Sequence, residues 1–374
     1  MYNTNKLRRF VRRAPLALFV SLSLIASSPG KACTSFLLKA SDGGYVYGRT
    51  LVFGIDLKSK ATLIPRGFAY QAVGASGQPA TGLAWKTKFA AVGVNGLDLP
   101  ILIDGFNEKG LGGGLLYAPN TALYQDVASA DSKGSIASYE MLNYALTNFA
   151  TVEEARDGFK KIKVNRSPHP VFKGPIPLHM TLHDATGKSV VIEYTKGVLN
   201  VFDNPTGVMT NDPTFDWQLA NIGQYANLSP KEAQPLRIGG TNFGAPSSGG
   251  GLHGIPGDFL SPSRFIRVLA YSQSAPTTGT AEAQVMTAFH ILNNFDIPPG
   301  AIQLSSSNPY GGGGSGFERT EWMSVSDLKN QVLYLKTFEN QHIQALDMKK
   351  LNLASKEVKY FELQKVAQVV QLGL

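Results

Sequence analysis

The chain has 374 residues, 43% of them hydrophobic and 17% charged, with a formal net charge of +8. That is ordinary globular composition with ample length to bury a core; no fixed-period repeat and no long charge run points to a solenoid or a disordered tail. The 39 glycines fall between alternating apolar stretches, which favours a β-rich protein with many turns.

Residues 1–32 read as a secretory signal. Lys6, Arg8, Arg9, Arg12 and Arg13 form a basic start, and Leu16 to Ala26 is an apolar stretch well short of the roughly 20 residues a spanning helix needs. Gly30 and Ala32 supply the small residues of a cleavage site after Ala32, and the paired arginines invite a twin-arginine route. The segment carries those five charges plus Lys31 and no acid, so without it the net charge falls from +8 to +2. The basic excess belongs to the signal, which excludes nucleic-acid binding. The sequence therefore predicts export, with a periplasmic location and no stable membrane anchor.

Cys33 is the single cysteine and stands immediately after the expected cleavage site. An exported thiol with no partner in the chain is intermolecular, reactive or incidental. Acylation as a lipoprotein disfavours Lys31, which puts a charge just before the cysteine. N-terminal nucleophile chemistry fits better. The freed α-amine, with an ordinary pKa near ~7.7–8.0, can take the thiol proton, so one residue supplies nucleophile and base. The histidines, 169, 179, 183, 253, 290 and 342, show no metal-ligand spacing on a predicted helix and read as structural or surface residues. Gly110 to Gly114 lacks a phosphate-loop register and reads as strand packing. No cofactor and no metal are expected.

In chain order, Cys33–Ser41 and Tyr45–Phe53 read as a hairpin closed by Asp42-Gly43-Gly44. That register sets Cys33 opposite Phe53 and Leu37 opposite Arg49, with Arg49 on the face of Cys33. Strands are predicted at 90–94, 99–103 and 111–117, and a turn at 106–110. A helix follows over 135–149, and Thr151 and Glu154 open another to about residue 162. Further strands are predicted at 180–182, 189–194, 198–202 and 206–209, helices over 262–272 and 280–293, and strand again from 322 to 337. Strands and helices in alternating blocks suggest two sheets covered by helices.

The mature chain resembles the choloylglycine hydrolase family, which contains penicillin V acylases and bile salt hydrolases, within the N-terminal nucleophile hydrolases. The residues that carry the likeness are Cys33-Thr34-Ser35, Tyr47-Gly48-Arg49-Thr50, 104–111, Ile192-Glu193-Tyr194, 204–213, Gly254 to Asp258 and Ser263-Arg264-Phe265. The resemblance implies an α+β fold, a four-layer αββα sandwich of mostly antiparallel sheets, formed by one catalytic domain over residues 33–374. It implies hydrolysis of a linear amide, with Cys33 as nucleophile, Arg49 as its electrostatic support, Asn211 as an oxyanion donor and Arg264 as a second active-site arginine. Tyr117 stands where penicillin V acylases carry tyrosine and bile salt hydrolases asparagine. Relatives are often tetramers, which implies a homo-oligomer. Val52 departs from the pattern, because the family usually has an acid there to hold the α-amine; Asp56, water or a backbone carbonyl must replace it.

The expected substrate is an N-acylated small molecule, either a penicillin V-like amide or an acyl homoserine lactone. Phe53, Leu116 and Tyr117, with the apolar run 51–55 and Leu115, are candidates for the acyl pocket. The alternatives are a conjugated bile salt hydrolase and, from another class, a binding protein that has lost activity, which Val52 would favour.

Overall fold

The computed structural model describes residues 32–277, 279–303 and 316–366, with 369 and 371–373. The expected signal lies outside the described residues, apart from Ala32.

Among the described residues, thirteen strands form the main paths of two sheets, and the short strand Ile302–Gln303 pairs at the edge of the first. The thirteen are β1 (Thr34–Lys39), β2 (Tyr45–Phe53), β3 (Ala61–Ile64), β4 (Ala91–Asn95), β5 (Leu102–Asn107), β6 (Gly112–Tyr117), β7 (Leu178–His183), β8 (Ser189–Thr195), β9 (Val198–Asp203), β10 (Phe317–Asp327), β11 (Val332–Thr337), β12 (Gln344–Asp347) and β13 (Lys359–Phe361). One sheet runs β1-β2-β10-β11-β12, and the other β9-β8-β7-β6-β5-β4-β3-β13, antiparallel throughout. Helices α4 (Ser261–Ser274) and α5 (Ala281–Leu292) cover the first sheet, and α1 (Met141–Asn148) lies on β5 and β6 of the second. Between α1 and α4 come α2 (Val152–Phe159) and α3 (Phe215–Ile222). The order of layers is thus αββα. Strands β4 and β6 are buried throughout because both of their faces are covered, so they read as apolar and glycine runs rather than as alternation.

The β1–β2 hairpin forms one residue earlier than its sequence suggests. The loop is Ser41-Asp42-Gly43, with Gly43 in the left-handed region (φ 80°) and Asp42 Oδ1 accepting from the Gly44 amide at 2.9 Å. Ala40 then pairs with Gly44, and Arg49 faces Ser35 while Leu37 faces Tyr47. A slip of two residues preserves the side-chain parity, so Arg49 keeps the face of Cys33 and comes closer to it along the strand.

Two further expectations are corrected. Of the helix predicted over 135–149, only Met141–Asn148 is α-helical. Ser135–Ala137 pairs in parallel with Lys163–Asn165, and Glu140 turns back to accept from the amides of Ala137 (2.8 Å) and Val73 (3.1 Å). Residues 206–209 form no strand. Asn204 holds a turn there by accepting from Thr206 and donating to Val208 O at 3.0 Å, and Met209 alone bridges to Ser35. That bridge sets the following residues, Thr210 and Asn211, beside the start of β1. The helix predicted from Thr151 does form, with Thr151 capping the Glu154 amide at 3.2 Å, and it ends at Phe159.

The two sheets meet through a polar seam. Tyr47 and Arg49 of β2 face Asp104 of β5 and His183 of β7, while Ser324 of β10 donates to Asp104 Oδ2 at 2.9 Å. Burial raises the Asp104 carboxyl to about 6, against the downward pull of Arg49 and Ser324. Asp104 thus holds its proton more tightly in the fold than in the unfolded chain. Its stabilising share is complete below the ordinary carboxylate range and is lost as pH rises through about 6. Between about pH 4 and 7 the wild type is expected to lose up to about 3 kcal/mol relative to Asp104→Asn. Urea melts of both proteins across that range measure it, and parallel pH slopes would show that Asp104 is ionised throughout.

Candidate active site

Cys33 precedes β1 and is buried, with 2% of its surface exposed. Its Sγ lies 4.0 Å from the Val52 carbonyl and 4.0 Å from Arg49 Nη2. Arg49 is fully buried and held from the opposite sheet, Nη1 donating to Ile103 O at 2.6 Å and Nη2 to Leu115 O. Its guanidinium also stands over the Trp322 ring, 5.5 Å from the centroid. This approach requires Gly114: a Cβ there would come within 2.7 Å of Arg49 Nη1 and of the Tyr47 hydroxyl. Gly114, in the glycine run read as strand packing, is therefore the slot through which the second sheet receives Arg49.

Arg264 sits in the first turn of α4, whose entry is fixed by Asp258, accepting from the Leu260 amide (2.8 Å) and the Ser263 hydroxyl (2.8 Å). The guanidinium reaches the backbone of Cys33 itself. Nη1 donates to Cys33 O and to Thr34 Oγ1 (2.9 Å), Nη2 to Asn211 Oδ1 (2.8 Å), and Nε to Phe259 O (2.9 Å). Burial pulls its pKa down to about 10, which leaves it charged at neutral pH. Asn211 is in turn held by its amide, which donates to Tyr117 O at 2.7 Å, and by its backbone N–H, which donates to Ser261 Oγ at 2.9 Å. With one side-chain N–H given to Tyr117 O and its carbonyl oxygen accepting from Arg264, the Asn211 amide has its second N–H to present to a ligand.

The segment that carries Asn211 is pinned by a buried pair, His179 and Glu193, that no sequence pattern connects. His179 Nε2 lies 2.9 Å from Thr210 O and Nδ1 3.0 Å from Glu193 Oε1, and Glu193 also accepts from the Phe215 amide at 3.1 Å. Both ring nitrogens thus lie against oxygen atoms, one of a side chain and one of the main chain. His179 is structural, as expected.

Cys33 opens onto a pocket whose wall is almost wholly apolar. Phe53, Tyr117 and Leu115 line it, as expected. Leu116, the other residue proposed for the pocket, is not in the wall. It is fully buried in the core with Phe36 and Met209, because alternation along β6 turns it away from its neighbours. Leu57, Leu97, Ile101 and Ile103 from two loops and β5, and Tyr139, His169 and Phe172 from distant segments, complete the wall. The loop residues Lys58, Leu97 and Asp98 have left-handed φ of 49°, 59° and 56°, strain of the kind that collects at binding sites. A second cleft, lined by Asn211, Arg264, Asn120, Asp212, Ser261 and Ala32, is more polar.

Val52 occupies a small apolar cluster with Ala32 and Ile297. Asp56 does not replace the missing acid: it is exposed, accepts from the Lys58 amide at 2.7 Å and lies 3.5 Å from Lys365. Among the described residues no group of His, Cys, Asp and Glu is arranged to hold a metal ion.

Residues 33–361 match the model of the linear amide C–N hydrolases, choloylglycine hydrolase family. A bile salt hydrolase/transferase of Clostridium perfringens is 33% identical over 90% of this chain and 98% of its own length. A penicillin V acylase of Pectobacterium atrosepticum is 28% identical over 89% of this chain and 86% of its own. A crystal structure of the conjugated bile acid hydrolase from Clostridium perfringens superposes with a TM-score of 0.79 at 32% identity, over 91% of this chain and all of that one. A penicillin V acylase from Agrobacterium tumefaciens shares the fold, with a TM-score of 0.71 at 24% identity. The chain belongs to the choloylglycine hydrolase family and is a hydrolase of linear amide bonds.

Proposed function

We propose that the protein is an exported, periplasmic amidohydrolase that cleaves N-acylated small molecules through an acyl-enzyme on Cys33, after removal of residues 1–32. The observation that carries this reading is the position of Cys33. Its thiol borders an almost wholly apolar cavity, and its carbonyl shares Arg264 with Asn211 beside a polar cleft. An acyl chain fits the first space and a polar amine the second.

In the proposed cycle the α-amine of Cys33 takes the thiol proton, and Sγ attacks the amide carbonyl beside Arg49. The Asn211 amide donates to the oxygen on which negative charge develops. The protonated α-amine then gives its proton to the leaving nitrogen, the C–N bond breaks and a thioester remains. Water, deprotonated by the same amine, attacks the thioester, and the thiol recovers its proton as the carboxylic acid leaves. With Val52 apolar and Asp56 turned outward, the amine must be oriented by a group other than these two side chains.

The acyl group is of the penicillin V or acyl homoserine lactone type, which the apolar wall and Tyr117 favour. Conjugated bile salts are the second reading, favoured by the 33% identity to a bile salt hydrolase/transferase. A panel of penicillin V, acyl homoserine lactones and glycine- and taurine-conjugated bile salts separates them by kcat/KM. Preference for the bile salts would overturn the first reading.

Active protein is expected to begin at Cys33. N-terminal sequencing checks this, and full activity in a protein that retains Ala32 would remove the amine from the mechanism. Cys33→Ala is expected to abolish turnover with the fold intact by circular dichroism. Asn211→Ala should lower kcat by about 10²–10³, the scale for one lost oxyanion donor.

A further inference from the structure

The wall of the apolar cavity has an order. Tyr117, whose carbonyl holds Asn211, meets Phe53 edge to face at 6.5 Å between centroids; Phe53 meets Phe172 at 6.1 Å; Phe172 meets His169 at 5.4 Å; and His169 meets Tyr139 at 4.9 Å. This row of rings leads from the catalytic end to two rings that carry polar atoms, His169 and Tyr139. Between Tyr117 and this pair, Phe53 and Phe172 present carbon surface.

The state of His169 follows from its contacts. Its Nδ1 accepts from the Val171 amide at 3.2 Å, and the turn is closed by the His169 amide donating to Gly174 O at 2.9 Å. An Nδ1 that accepts is unprotonated, so the neutral ring carries its proton on Nε2. Burial pulls the His169 pKa down, which keeps the ring neutral near pH 7. Among the described residues neither Nε2 of His169 nor the Tyr139 hydroxyl has a hydrogen-bond partner in the protein, and neither is sealed from solvent. The residues keep 3% and 6% of their surface and both line this cavity. Two polar atoms left open in an otherwise apolar wall are the usual form of an orienting contact for a ligand.

We propose that His169 and Tyr139 form a hydrogen-bonding subsite at the far end of the acyl cavity, which receives an oxygen carried on the distal part of the acyl chain. The preferred substrates are then amides of oxygenated acyl chains, with a keto, hydroxyl or ether oxygen beyond an apolar stretch, rather than of plain alkyl chains. The inference rests on reading the cavity as the acyl site. Along the apolar stretch an oxygen loses its water and gains no partner, so it weakens binding; at His169 and Tyr139 it gains one.

The test compares amides of one common amine in pairs of equal chain length, an unbranched alkanoyl group against its ω-methoxy counterpart, from butanoyl to dodecanoyl. The ratio of kcat/KM, ether over alkyl, is expected to be low for short chains. It should rise by about tenfold at the length that reaches the subsite, the scale of one hydrogen bond. His169→Phe and Tyr139→Phe should each flatten that rise. Tyr139→Phe removes only the hydroxyl, so it serves if loss of the Val171 contact unfolds the other variant. A ratio that never rises with chain length, or a rise that persists in Tyr139→Phe and in a folded His169→Phe, overturns the proposal while leaving the acyl-site reading standing. Failure of the wild type to cleave any of the alkanoyl or ω-methoxy amides overturns both.

Discussion

Two buried guanidinium groups meet at Cys33, and the arrangement of the two sheets follows from the need to satisfy them away from water. A buried charge without partners is costly, so each arginine must find acceptors in the main chain around it. Arg49 crosses from the first sheet to the carbonyls of Ile103 and Leu115 in the second. It can do so because Gly114 leaves space and because Asp104 and Ser324 extend the polar seam behind it. Arg264 ties the first turn of α4 to the carbonyl of Cys33 and to Asn211. The charges gathered at Cys33 are thus the same contacts that fix one sheet on the other and α4 on both.

This economy explains why the site tolerates Val52. The thiol, its carbonyl and Asn211 are each held by an arginine or by backbone, so a carboxylate beside the amine is one support among several. The cluster of Val52, Ala32 and Ile297 places apolar carbon where an acid would have to shed water. Asn211 depends in the same way on a remote contact. The His179–Glu193 pair holds Thr210 and Phe215, the residues that flank its turn.

The candidate site residues are legible in the sequence because their signals are local. Cys33 follows a cleavage pattern, Arg49 lies on the same strand face as Cys33, and the segments around Asn211 and Arg264 carry the family likeness. The hairpin parity survived a wrong register because side chains alternate with period two. The cavity wall was less legible. Leu116 was taken for lining because an apolar run of three gives no sign of which face it shows, and strand alternation selected Leu115 and Tyr117 instead. Residues 206–209 look like a strand by composition, yet the Asn204 side chain captures the backbone into a turn.

The chain alone points to the kind of chemistry, through a lone cysteine after a cleavage-like pattern and a likeness to linear amide hydrolases, within alternating blocks of strand and helix. What only the tertiary structure decided is which side chains share a space. Tyr139, His169 and Phe172 are far from Cys33 in the chain, and no periodicity relates them to Phe53 or Tyr117. Their meeting depends on how α1, the turn at 169–174 and the two sheets pack, and His169 becomes a neutral donor only because that turn presents the Val171 amide to its ring. Packing between segments distant in sequence leaves no pattern in any one of them, so the reactive end of the site could be read from the chain and the far end could not.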